Sequence, residues 1–212
     1  MARIVDAPLF PSTHSWPVTL RYGRLLLTPF RRRDMDEVSQ VRNRNVSWLS
    51  PWDATSPDRS PGVSPAKRMR FIWDQGRRNV SLPWLIRWDE NGDCPVIGQC
   101  TVNNIVYGSA LCASIGYWID KKYAGRSIVP AAVALATDYA MTTVGLHRVE
   151  ICIRPENRPS LRVVEKLGFR YEGRRNRYIH IAGQWRDHEV FVLTAEDIPN
   201  GLLPRIPAEV VS

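Results

Sequence analysis

IGYWIDKKYAGRSI, residues 115–128, reads as a strand, a loop and the opening of a helix. The strand over 114–119 is apolar on both faces, as expected of one buried inside a sheet. A helix N-terminus leaves backbone amides unpaired and carries roughly half a positive charge, so the junction is suited to an anion. Gly125 lets the backbone approach an oxygen with no Cβ in the way. Lys122 and Arg126 add formal charge at the same turn, which comprises Lys122, Tyr123, Ala124, Gly125, Arg126 and Ser127. There is no GxxxxGK followed by Ser or Thr, and no GxGxxG opens a strand-to-helix turn, so neither nucleotide-binding glycine motif applies.

Outward from this turn the chain alternates between the two periodicities. Downstream, Ile128, Ala132, Ala136 and Ala140 recur every four residues with Val129 and Val133 beside them, predicting a small-residue helix packed closely on a sheet. Pro130 falls in its first turn, where a missing amide costs little. Val149, Ile151 and Ile153 then alternate as a strand. Residues 159–167 predict a short helix stopped by Gly168, and two strands surround the turn at 182–184.

Upstream, Trp84, Ile86 and Trp88 begin a strand that the turn Asn91-Gly92-Asp93 joins as a hairpin to 96–102. Residues 24–30 predict the first strand, followed by a charged helix from Asp34 to Arg44 with Asp34 as its N-cap. A second helix is expected over 65–78, where Met69, Ile72 and Trp73 fall at helical spacing. Between these helices, Trp48, Trp52 and prolines at 51, 57, 61 and 65 predict a long loop, read either as a substrate wall or as a packed surface loop. Mixed strand–helix order predicts an α/β (α+β) fold, with parallel and antiparallel pairs in one central sheet and helices on its faces. Residues 1–19 are read as an N-terminal arm, 20–196 as one domain and 197–212 as a loose, proline-broken tail.

The 212 residues carry a net charge of +8. That favours an anionic partner such as a phosphorylated cofactor, a ribosome or nucleic acid, or else describes an arginine-rich solvated surface. Cys94, Cys100, Cys112 and Cys152 are scattered, without CxxC or metal-ligand spacing, and read as reduced residues of a cytoplasmic protein with no metal. No apolar run approaches the ~20 residues of a membrane span. His147, His180 and His188 have no triad partner at recognisable spacing and are read as surface or hairpin residues.

Three segments carry a resemblance. The turn at 122–127 resembles the acetyl-coenzyme A (acetyl-CoA) motif of the GNAT acetyltransferases, Q/R-x-x-G-x-G/A, with Lys122 and Ser127 departing from it. ENRPSLRVVEKLGFRYEG (156–173) resembles the N-x-x-S and K-x-G-F-x-x-E-G run of the RimJ/RimL branch, which acetylates N-terminal amines of ribosomal proteins. YIHIAGQWRDHEVFVL (178–193) resembles the same branch's final hairpin. Together with IGYW, the resemblance spans about residues 20–194. It implies a sheet splayed between 114–119 and 148–153, with the pantetheine arm of the cofactor entering the gap and pairing near Trp118 and Ile119.

The resemblance further implies that Asn157 contacts the cofactor and that Ser160 lies near the thioester sulfur. The residues themselves also read as a helix cap and first turn. Related enzymes place a glutamate beside the strand, where this chain has Ser114. Asp120 and Glu150 are the remaining carboxylates near the splay and are the candidate bases, each equally readable as an ordinary ion pair; a water could also take the proton. The expected activity is acetyl transfer from acetyl-CoA directly to a protein N-terminal amine, with a ribosome as partner and the oligomeric state open between monomer and homodimer. A small amine acceptor, such as an antibiotic, polyamine or amino sugar, or a non-catalytic CoA-binding protein, are the competing readings.

Overall fold

The computed structural model describes residues 16–57 and 65–211. Most of the predicted arm and residues 58–64 of the long loop lie outside them. One open sheet runs in the order β1 (Leu20–Tyr22), β2 (Leu25–Pro29), β3 (Leu82–Trp88), β4 (Val96–Val106), β5 (Cys112–Ile119), β6 (Arg148–Ile153), β8 (Gln184–Thr194), β7 (Arg170–Ile181). Neighbours are antiparallel except β5 and β6. The helices are α1 (Met35–Arg44), α2 (Val46–Leu49), α3 (Pro65–Arg77), α4 (Ile128–Thr142) and α5 (Arg158–Leu167).

Strand alternation sorts the sheet into two faces. Cys100 and Val102 of β4 point into the main core, where the Cys100 thiol lies 3.9 Å from the Ala132 carbonyl of α4. Residues 131–134 and Ala136 are fully buried. Their small side chains let α4 lie close to the strands. Beside it α5 buries Val163, Val164 and Leu167 on one stripe and turns Arg158, Arg162 and Lys166 outward. Each such burial contributes roughly 1.5–3 kcal/mol, enough to hold a helix of ten residues that would not persist alone. Gly168 ends it in the left-handed region at φ 70°, and Phe169 packs back into the core. On the opposite face Val38 of α1 packs on Leu85 and Val96, with Phe30 and Trp118 at the margin.

Two local expectations change. Asp34 does not cap α1: its carboxylate accepts from the Arg31 amide at 2.8 Å and from Arg87 at 2.8 Å, so it closes the preceding turn and pairs across to β3. The segment after Asp197 is not loose, because Leu202, Ile206 and Val211 are buried in the main core. The Asp138 carboxylate accepts from the Leu202 and Leu203 amides, and the Arg24 amide donates to Val211 at 2.8 Å. Three apolar residues among prolines are enough to dock a chain that has no periodicity to announce it.

The feature that creates a site is the short contact between β5 and β6. They pair only at Cys112–Arg148, Ala113–Val149 and Ser114–Glu150, although β5 continues to Ile119 and β6 to Ile153. Beyond Ser114 the strands part, leaving one edge of β5 bare inside the sheet.

Candidate active site

The turn that leaves β5 is anchored from below. Asp120 is buried; its carboxylate accepts two bonds from Arg44 (2.6 and 3.0 Å), one from Asn45 (2.9 Å) and one from the Lys122 amide (3.1 Å). Burial alone would raise its pKa, but these four bonds outweigh it and hold the carboxyl below its ordinary value. Tyr123 is buried next in line, its hydroxyl donating to Glu90 at 2.8 Å, with Lys122 and Arg126 stacked on its ring at 5.3 and 5.2 Å.

Above this base the backbone is open. Gly125 lies at φ 79°, and a Cβ built there would meet no atom within 4 Å. Ser127 lies at φ 59°, a region that costs a side-chain-bearing residue about 1–2 kcal/mol, and its hydroxyl accepts from Lys166 of α5 at 2.7 Å. Among the described residues no protein acceptor meets the amides of Gly125, Arg126, Ser127, Ile128 and Val129; the first bonded amide of α4 is that of Ala131, to Ser127. Five amides at the positive end of a helix are thus left without a protein acceptor, near Lys122, Arg126 and Lys166, and Gly125, Ser127, Ile128 and Val129 line a cavity.

These amides open directly onto the splay. The Asp120 amide donates to Ile97 at 2.7 Å, which makes Gly98 and Ile119 a non-hydrogen-bonded pair of the antiparallel ladder. Alternation then turns the backbone groups of Ile119 and Tyr117 toward the gap, while those of Trp118 are used by Gln99. The expectation of Trp118 and Ile119 as the bare edge thus moves to Tyr117 and Ile119. Asn157 caps α5, its side chain accepting from the Ser160 amide at 3.2 Å. Ser160 and Asn157 both line the gap, and the hydroxyl of the half-buried Tyr117, its pKa raised by desolvation, reaches the Ser160 carbonyl at 3.5 Å.

The gap continues through the sheet into a cavity of about 1090 Å³. Trp48, Leu49, Trp52, Phe71 and Ile72 form its far wall, and Gln99, Thr101 and Asn103 of β4 form its floor with Gly116. The wall is fixed in place: the Trp48 indole donates to the Ile119 carbonyl at 3.1 Å, Arg154 donates to Pro51 at 2.8 Å, and the Thr55 amide donates to His180 at 2.8 Å. The floor residues were missed in the sequence. Their signal is the alternation QCTVN at 99–103, polar against apolar in a strand flanked on both sides, which marks a buried polar face.

Three carboxylates near the gap each hold a guanidinium. Asp120 has Arg44, Asp53 has Arg42 at 2.5 Å, and Glu150 has Arg175 in a two-pronged pair at 2.7 and 2.9 Å. Glu150 does point opposite to Val149 and Ile151, but toward Arg175 and Cys152; it does not line the cavity. His147 pairs with Glu196, His180 bonds Thr55, and His188 is buried with Nδ1 on the Arg186 carbonyl, burial lowering its pKa.

A family model described as an acetyltransferase (GNAT) domain matches residues 24–170. The chain belongs to the GNAT acetyltransferase family. Within it, the chain is 27% identical over 180 residues to the ribosomal protein uS5-alanine N-acetyltransferase of Escherichia coli, covering 85% of this chain and 92% of that one. It is 32% identical over 177 residues to the spermidine N(1)-acetyltransferase of the same organism, covering 84% of each. The match to the probable N-acetyltransferase YjcK of Bacillus subtilis is 39% identical over 105 residues, 50% of this chain and 58% of that protein. Among solved structures, Mycobacterium smegmatis RimJ in complex with CoA-disulfide aligns with a TM-score of 0.82 at 34% identity, covering 90% of this chain and 93% of that one. The family match ends at residue 170, whereas the sheet of this GNAT chain continues through the β7–β8 hairpin.

Proposed function

We propose that this GNAT protein transfers acetyl from acetyl-CoA to the N-terminal amine of a protein, a ribosomal one by the RimJ-like affinity, acting in the cytoplasm. The observation that carries the reading is the row of unpaired amides over residues 125–129, opening onto the bare edge of β5. A pyrophosphate fits the donors, and Lys122, Arg126 and Lys166 match its charge. The amides and carbonyls of Tyr117 and Ile119 suit the peptide-like groups of a pantetheine arm, although Trp48 already engages the Ile119 carbonyl. The RimJ structure with CoA-disulfide supports the same cofactor.

In the reaction the amine nitrogen bonds to the thioester carbonyl carbon and the carbon–sulfur bond breaks. The nitrogen loses one proton and the departing sulfur gains one, giving an amide and the free thiol with no covalent bond to the enzyme. Ser160, which lines the cavity with its side chain hydrogen-bonded to that of Tyr117, is the group proposed to donate to that sulfur. Asp120 and Glu150 are not carried forward as bases, because each is spent on an arginine. Asn157 and Ala124 line the cofactor half with the turn.

A polyamine acceptor is the second reading, favoured by the spermidine N(1)-acetyltransferase similarity. Thiol release from acetyl-CoA with peptides of defined N-terminus, free polyamines and amino sugars separates them. Release is expected with the peptides; none with any amine contradicts the proposed activity.

A further inference from the structure

We propose that the acceptor side of the cavity selects an amine that arrives already neutral and is followed by carbonyl groups, with Thr101 setting this preference and Trp118 and Gln99 orienting it. The proposal rests on the acetyltransferase reading above and names how that site chooses among amines. An indole N–H can only donate, so the Gln99 atom 3.3 Å from the Trp118 nitrogen is the amide oxygen. The Gln99 NH₂ group then donates to the Thr101 hydroxyl at 2.9 Å. That oxygen is used as an acceptor, and its own proton is left to point into the cavity that Thr101 lines. Asn103 repeats the pattern: its oxygen accepts from Ser81 at 3.2 Å, which turns its NH₂ toward Gly116, 3.6 Å from where a Cβ would sit there. Apart from one long bond to the Thr101 carbonyl at 3.4 Å, that NH₂ has donor capacity to spare.

The floor thus offers donors. Donors pair with carbonyl oxygens, which a peptide carries one residue from its terminal amine, and oppose ammonium groups, of which spermidine has several. The charged and titratable groups around the floor do not reverse this. Asp53 in the wall is neutralised by Arg42; Tyr117 and Tyr123 are held protonated by burial; Arg162, Glu165 and Lys166 of α5 line the cofactor half. The residues that α3 contributes, Phe71, Ile72 and Gln75, are uncharged. His188 of β8, Asp120 and Glu150 do not line the cavity. Among the described residues no unpaired carboxylate faces the acceptor, so its own acidity decides how much reacts. With a pKa near 8 for an α-amine and near 10.4 for an alkyl amine, the neutral fractions at pH 7 differ by about 200-fold.

The test is kcat/KM for thiol release against pH with three acceptors: a lysine-free peptide beginning with alanine, the same peptide blocked at its terminus and carrying one lysine, and spermidine. The peptide's log kcat/KM should rise with unit slope to its own amine pKa and then level. Both alkyl amines should be slower by about 200-fold at pH 7 and still rising at pH 9. Thr101→Val should raise the peptide KM by up to about tenfold without moving the pH profile, Thr101→Ser should restore it, and the KM for spermidine should not rise in either. A break below pH 7 shared by all acceptors would reveal an enzymic base, His188 included, and overturn the proposal. So would equal use of spermidine at pH 7, or an unchanged peptide KM in Thr101→Val. If none of the three acceptors releases thiol while acetyl-CoA still binds, the acetyltransferase reading itself fails and takes the proposal with it.

Discussion

The two ends of the cavity are made of different material. At the proposed donor end the candidate binding groups are backbone amides of five consecutive residues, Gly125–Val129, set by two positive φ angles and the start of one helix. At the acceptor end they are side chains from α2, α3 and β4 that meet only in the folded molecule. A backbone site tolerates a change of residue provided the turn survives: Ser127 departs from the family pattern yet keeps the left-handed conformation, stabilised by Lys166. A side-chain site is redefined by single substitutions. That difference would let members of one family, among them proteins named as a ribosomal-protein-alanine and a spermidine acetyltransferase, differ in acceptor.

The sharpest way to break the comparison is Gly125→Asp. It sets a carboxylate in the open space before the five amides, where like charges cost several kcal/mol, so acetyl-CoA affinity by calorimetry should fall by at least about 100-fold. Thermal unfolding should fall by only a few degrees, because the left-handed φ of 79° costs a side chain about 1–2 kcal/mol and no packed atom is displaced. Retained affinity would mean that the donor end does not work through its backbone.

A smaller effect belongs to the one side chain proposed to act at the join of the two ends. Ser160→Ala removes a neutral donor without altering the Asn157 cap, which uses the backbone amide. The expected outcome is a kcat lower by roughly tenfold with both KM values held. An unchanged kcat would remove Ser160 from the reaction.

The same contrast governs what could be read without coordinates. The donor turn was legible because glycine, helix start and basic residues lie within eight positions of one another. The splay followed from the resemblance, and the strands that border it from periodicity. The choice between Trp118 and Tyr117 was not legible: which residues of β5 turn their backbone to the gap depends on its pairing with β4, and side-chain alternation does not report it. Asp120 and Glu150 were correctly placed near the splay. Their partners Arg44 and Arg175 lie 76 and 25 residues away, a distance over which one sequence gives no pairing signal. Thr101 sat in a visible polar alternation, but only the Trp118–Gln99 contact turns that pattern into a directed donor.

The proposed donor site rests on the amides of residues 125–129 holding a pyrophosphate. Calorimetric titration of the protein with acetyl-CoA and with acetyl-pantetheine, which shares the thioester and amides but lacks the nucleotide and its phosphates, tests it directly. Tight binding of acetyl-CoA is expected, with at least about 100-fold weaker binding of acetyl-pantetheine through the loss of several charge-assisted bonds. Equal affinity for the two would contradict it.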